Sequence, residues 1–392
     1  MPVRHNLRPD PFRMLVQMAF SGSLRSLPRP PLRPLVRRLV RPLARWLAAL
    51  SCAALLPLAT ASSPPPAAPA LATATASASP AAVAPNPPGS RPPLPLFVLN
   101  SRDANVSRID RARQAEVERI PVGKEPHHLY PTPDGKSLIV ANAVSDELHF
   151  FDPVTGALQK RVPNIPDPYQ IGFSPDSRWF AVAALRLDRV DLYRHEQGEL
   201  KPATRLPLPK APSHLWFSAD SRTVFVTLQE SDEVAAIDVE RGELLWKLPT
   251  GRQPAGIVVT PDDRYLLVGV MGEDHVQVID WRERRTVGRI VTGAGAHNFR
   301  GLGDRRHLFV SNRVENTVSI LDMQKLAVVG TIPVSGGPDC LEVTADGREL
   351  WVTTRWAKRV AVVDIAQRKV VRTIPVGRSP HGLYLHDRAP LL

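Results

Sequence analysis

The chain is short of several things, and each shortage removes a class of protein. Only two cysteines, Cys52 and Cys340, occur in 392 residues, so a disulfide-stapled scaffold is excluded and any stable domain must be held by an apolar core. Aromatic residues make up only 6% of the chain. No uninterrupted apolar run approaches the roughly 20 residues that a membrane-spanning helix needs. Catalytic signatures are missing as well: there is no phosphate-cradling Gly loop, Cys-x-x-Cys-His haem attachment motif, His-Glu zinc-protease motif or nucleophile elbow.

Negative charge is almost absent from the first 45 residues. They hold ten arginines, no lysine and a single acid, Asp10, which accounts for +9 of the formal net charge of +12. The remainder is only mildly basic, which argues against a nucleic-acid-binding surface on the folded part. After Arg45 comes the uncharged run Trp46 to Leu58, then Ala59-Thr60-Ala61. A basic head, an apolar core of thirteen residues and an Ala-x-Ala site are the order of a secretory signal peptide, with cleavage expected after Ala61. Two other leader types are open: lipid attachment at Cys52, and a twin-arginine signal at Arg37-Arg38. An internal start at Met14 or Met18 would shorten the long head. The expected destination is the periplasm or the exterior, with no membrane span left after cleavage. Residues 62–95 are almost wholly Pro, Ala, Ser and Thr with one charge, a disordered or polyproline-like linker.

What the rest of the chain has in quantity is repetition. Joints such as Val122-Gly123-Lys124-Glu125-Pro126, Thr250-Gly251-Arg252-Gln253-Pro254 and Val376-Gly377-Arg378-Ser379-Pro380 recur, and their last positions form the series 126, 168, 212, 254, 296, 338 and 380. The spacing is forty-two residues, with one step of forty-four. Each unit has the same grammar: a short strand after the joint, a Pro-Asp turn, a second strand (SLIVAN, TVFVTL, HLFVSN), and a third strand closing on Asp (EVAAID, HVQVID, TVSILD). A fourth strand (KVVRTIP) follows. Runs of four to six residues rich in Val, Ile and Thr between Pro, Asp and Gly are strands, not helices. Four such strands per unit predict a β-propeller.

The last unit stops after one strand, Pro380 to Leu385, and its three missing strands stand at the front: Leu96 to Asn100, Asn105 to Asp110 and Glu116 to Ile120. The fold expected is all-β: a seven-bladed propeller over residues 96–392 with its last blade shared between the termini. One unit departs, since Arg194 replaces the strand-closing Asp and a longer loop follows.

These repeats resemble the YVTN family of β-propeller repeat proteins, whose unit runs roughly Gly-x-x-Pro, an apolar strand, Pro-Asp-Gly, YVTN and V-x-V-I-D. The resemblance implies the fold. It leaves function open, because the family and its relatives include surface-layer proteins, electron-transfer partners, lactonases and haem-carrying domains. Haem-d1 propellers have eight blades, against seven counted here.

Residues one and two places after each joint would line the central channel as rings. The first ring reads His127, Tyr169, Ser213, Ala255, His297, Asp339, His381; the second reads His128, Gln170, His214, Gly256, Asn298, Cys340, Gly382. Five of the eleven histidines fall in them. Loops after the second strands add Asn142, Arg186, Glu230, Asn312, Arg313, Arg355 and Trp356 at the same mouth. The candidate ligand-binding set is His127, His128, His214, His297, His381, Asp339, Arg313 and Arg355: imidazoles and carboxylate suit a metal, arginines suit an anion. The opposing reading is packing and hydrogen bonding at the channel mouth. The function expected is an exported, non-enzymatic binding module for a protein partner or a small anionic ligand, with no cofactor required. The alternatives are a lactonase-like or oxidoreductase-associated enzyme, and a metal or haem carrier.

Overall fold

The computed structural model describes residues 94–392; the leader expected at 1–61, and the linker up to residue 93, lie outside the described residues. Twenty-eight strands form seven four-stranded antiparallel sheets. In six of them the four strands are consecutive. The seventh joins the innermost strand Pro380–Leu385 to Leu96–Asn100, Asn105–Asp110 and Ala115–Pro121. The pairing Leu96↔Leu385, Phe97↔Tyr384, Val98↔Leu383 is the closure expected from the sequence. Two ion pairs latch the same ends: Arg378 Nε meets Asp103 Oδ1 at 2.5 Å, and Arg111 Nη1 meets Asp387 Oδ1 at 2.7 Å.

The repeated residues explain the repeated shape. In the first hairpin of most blades a hydroxyl binds the turn acid, as Thr132 Oγ1 does Asp134 Oδ1 at 2.7 Å and Ser218 Oγ does Asp220 Oδ1 at 2.6 Å. The strand-closing Asp accepts backbone N–H groups across the next turn, as Asp152 does from Val154 and Thr155 and Asp238 does from Arg241. Both are side-chain substitutes for backbone turns.

Arg194 does something else. Its guanidinium lies 3.8 Å from the centre of the Trp179 ring and pairs with Glu240 of the following blade. The extra two residues of that unit lengthen its outer hairpin, Arg189–Glu196 with Glu199–Pro207. Its inner strand, Gln170–Phe173, starts late because Tyr169 N turns back onto Asp167 O at 2.7 Å, which leaves Pro168 outside the strand.

The core is not one mass but a layer between each pair of neighbouring blades. Phe97, Leu99 and Val106 pack on Leu138, Val140 and Phe151 of the next blade, while Leu96, Val98 and Ile109 pack on Trp351, Val360 and Val362 of the previous one. The shared blade is therefore buried on both faces, which removes the open edge of the array. The seven innermost strands follow one another around a closed ring and line a central channel.

Candidate functional site

The ring residues reach the channel because the innermost strands are bulged where they stand. Pro212 pairs with Leu228, and the next regular pair is Leu215 with Val226, so Ser213 and His214 together oppose one residue, Thr227. The same shift occurs between Ala296 and Phe299 and between Pro338 and Leu341. A bulge removes backbone partners and re-aims side chains. Hydroxyls on the second strands replace the lost partners: Thr227 Oγ1 accepts from His214 N at 3.1 Å, Ser311 Oγ from Asn298 N at 3.0 Å, and Thr353 Oγ1 from Cys340 N at 3.0 Å. Sequence reasoning passed over Thr227, Ser311 and Thr353, although their spacing in multiples of forty-two was a visible signal. At Gly256 a side chain is excluded outright, since a Cβ there would stand 2.0 Å from His297 O.

All eight residues of the expected set converge, with Asp339 at the centre and no exposed surface. Arg313 Nη2 donates to Asp339 Oδ1 at 2.7 Å and Arg355 Nη1 to Oδ2 at 3.2 Å. His297 Nδ1 is 3.1 Å from Oδ1, and His381 Nε2 is 3.8 Å from Oδ2. Burial pushes the Asp339 carboxyl upward, but the Arg313 charge and the neighbouring His381 and His297 outweigh it and hold it well below the usual range.

The imidazoles form a continuous group. Ring centroids are 3.9 Å apart for His127 and His381, 5.0 Å for His128 and His381, 5.7 Å for His128 and His214, and 5.2 Å for His214 and His297. Tyr169, which the sequence placed in the ring but not among the candidates, stacks on His127 at 3.8 Å.

Partners assign the protons. His128 Nδ1 lies 2.6 Å from Tyr169 O and His381 Nδ1 lies 2.6 Å from His127 O; a carbonyl only accepts, so both rings carry hydrogen on Nδ1. His297 Nε2 faces the Arg313 donor at 2.8 Å, which puts its hydrogen on Nδ1 toward Asp339. Burial lowers the pKa of all five histidines, to about 4 for His128 and about 4 for His297, so the group is neutral near pH 7. Two guanidiniums then share one carboxylate, and the cluster carries a net charge of +1. Buried polar atoms of the cluster remain without a hydrogen-bond partner: His128 Nε2, His214 Nε2, Arg313 Nε, and His297 Nδ1, which lies near Asp339 Oδ1 without hydrogen-bond geometry.

The other loop candidates do not join the cluster. Arg186 bridges Asp167 at 2.5 Å and Glu125 at 2.9 Å at the rim. Asn312 is buried and binds Ser319 Oγ at 2.9 Å and Thr317 Oγ1 at 3.0 Å, a structural role, while Asn142 is buried within its blade. Glu230 is exposed. Trp356 is 55% exposed beside Gly337, where φ is +71° and a Cβ would stand 2.6 Å from the indole.

Cys340, in the second ring, has a free thiol whose pKa burial pushes well above the ordinary value. Asn298 Nδ2 donates to its sulfur at 3.2 Å. Deeper in the channel a cavity of about 70 Å³ is lined by Gln170, His214, Trp216 and Asn298. Leu391 and Leu392 also line it, held there by the buried Arg300, which the sequence did not single out: Arg300 Nη2 donates to Ala389 O at 2.6 Å and Nη1 to Pro390 O at 2.7 Å.

A family model described as YNCE-like beta-propeller matches residues 36–391. No curated protein matches the chain. Among solved structures, the periplasmic gluconolactonase PpgL of Pseudomonas aeruginosa is similar at 20% identity and a TM-score of 0.64, over 76% of this chain and 99% of that one. The dihydro-heme d1 dehydrogenase NirN, in complex with DHE, aligns at 16% identity and TM-score 0.59, over 76% of each chain. Kuenenia stuttgartiensis hydrazine synthase aligns at 20% identity and TM-score 0.60, over 69% of this chain and 92% of that one. At such identities the likeness is one of fold.

Proposed function

Because the chain belongs to the YNCE-like β-propeller family, we propose that it is a binding module of YVTN-type repeats, exported to the periplasm or secreted, which takes up a small anionic ligand at the His-rich channel mouth. One observation carries this reading: Arg313 and Arg355 are mostly buried, with 16% and 18% side-chain exposure, and share the single charge of Asp339. An uncompensated positive charge in a poorly hydrated site attracts an anion far more strongly than the same charge in water. Arg313 Nε, buried and without a partner, adds a donor to that charge. Guanidiniums present paired N–H groups that suit carboxylate and phosphate.

Titration calorimetry with inorganic phosphate and acetate tests the reading. The wild-type chain is expected to bind at least one of them, and the double variant Arg313→Gln, Arg355→Gln to lose that binding while remaining folded. Equal binding by both chains would sink the proposal.

A protein partner is a second reading supported by the rim. Val144, Leu187, Val314 and Trp356 are between 44% and 58% exposed, and all stand in loops after second strands, around the same mouth. Exposed apolar side chains grouped around one opening favour a docked surface. Export rests on the basic head, apolar run and Ala-x-Ala order of residues 1–61, and the mass of the mature N-terminus tests it.

A further inference from the structure

His381 is placed like a metal ligand that lacks only its ion. Its Nδ1–H is locked on His127 O at 2.6 Å, so the lone pair is on Nε2. That lone pair faces Asp339 Oδ2 at 3.8 Å with no hydrogen between them. Two buried acceptors opposed in this way are too far apart for a hydrogen bond and repel each other until a cation lies between them. A carbonyl-locked Nδ1–H with Nε2 turned inward is also how proteins orient histidines that bind metal. Around a tetrahedral ion, bonds of about 2.0–2.3 Å put neighbouring ligand atoms roughly 3.3–3.8 Å apart, so the gap already nears the required size.

The third donor is Cys340, whose sulfur lies 3.7 Å from His381 Nδ1 and must turn toward Nε2 to share an ion with it. Ligand atoms of Asp339, Cys340 and His381 all lie within 4.8 Å of one another, and His127, His128 and His381 form a second such trio. His381 belongs to both. His128 contributes a buried Nε2 lone pair that nothing satisfies. Nitrogen, carboxylate oxygen and sulfur together suit a borderline divalent ion more than calcium or magnesium, which take oxygen alone.

The geometry points to a divalent transition-metal site of the zinc type, with His381 Nε2, Asp339 Oδ2 and the Cys340 thiolate as its protein ligands. Binding forms the metal–sulfur bond as the thiol loses its proton to solvent, so one positive charge leaves as the ion's two arrive. A small anion in the fourth position offsets the other, which returns the cluster to the charge it has beside Arg313 and Arg355 without the ion. The inference rests on the proposed anion binding for that fourth ligand only.

Cobalt(II) added to the chelator-treated full chain is the probe. One ion per chain is expected, with a near-ultraviolet sulfur-to-cobalt charge-transfer band and the release of about one proton. Cys340→Ser should abolish the band, and His381→Gln should weaken uptake by more than about a hundredfold. His275→Gln, away from the channel, should change neither, and thermal melts of all three variants check folding. Absence of uptake, uptake without the band, or uptake unchanged by both channel variants overturns the site. Phosphate titration of the metal-free chain separates the two proposals: phosphate binding without cobalt uptake leaves the anion reading alone standing, and cobalt uptake with its band but without phosphate binding leaves only the metal.

Discussion

Arg313 donates from Nη2 to Asp339 Oδ1 at 2.7 Å, across the joint between two blades. The carboxylate neutralises one of two guanidiniums that converge from separate loops, so it is as much a structural counter-ion as part of a site. Asp339→Asn would leave both cations buried and unpaired. A loss of about 3–5 kcal/mol in unfolding free energy is expected, measured by denaturant titration. The triple variant that also carries Arg313→Gln and Arg355→Gln should recover part of it; a triple variant no more stable than Asp339→Asn would refute the counter-ion role.

Thr227 supplies the hydroxyl that replaces a missing backbone partner at His214. Thr227→Val keeps the volume and orphans His214 N, which should lower stability by about 1–3 kcal/mol. The result to check is the thermal midpoint: an unchanged value would show that the bulge does not depend on the hydroxyl.

Closure of the ring depends on the first described strand. Leu99 is fully buried between two blades, and Leu99→Ala is expected to be destabilising by about 2–5 kcal/mol while the unfolding transition stays single. Deleting residues 96–120 removes three strands of the shared blade and should abolish the native transition altogether. Retention of wild-type melting after that deletion would contradict closure.

Arg194 stands where the other blades carry an acid. Arg194→Asp would remove the cation over Trp179 and set a carboxylate facing Glu240, so a modest loss of about 1 kcal/mol and altered tryptophan fluorescence are expected. A gain in stability would show instead that the residue has drifted from a better acid.

Acid stability should depend on Asp322. The Arg306 guanidinium, helped by the N–H groups of Lys325 and Gln324, holds its pKa at about 2, below the ordinary 3.8. A carboxylate depressed in the folded state stabilises fully above its unfolded pKa and loses that contribution as pH falls through the folded value. Stability should therefore decline between about pH 4 and pH 2. In Arg306→Leu the decline attributable to Asp322 should shrink, and denaturation midpoints measured across that range in both chains make the comparison.

The blade count, the shared seventh blade and the membership of both rings were legible in the sequence, because a propeller repeats one local grammar and equivalent positions in a repeat occupy equivalent places. Arg186 shows the limit. It stands in the same loop of its blade but one place later than Arg313 and Arg355, in register with Val314 and Trp356, and Asp167, a residue of its own blade's joint, holds it at the rim. The repeat spacing carries that one-residue offset, but not the two carboxylates, Asp167 and Glu125, that capture the guanidinium.

The sequence by itself determined the ring: strand length, turn chemistry and the period of forty-two are local properties, and local properties repeat. Tertiary structure alone decided the rest. Which nitrogen of His128 or His381 bears the proton, which arginines reach Asp339, and where Leu391 and Leu392 rest depend on atoms brought together from different blades. Hydrogen-bond direction and buried charge are settled by those distances, and side-chain distances across a channel leave no trace in residue order.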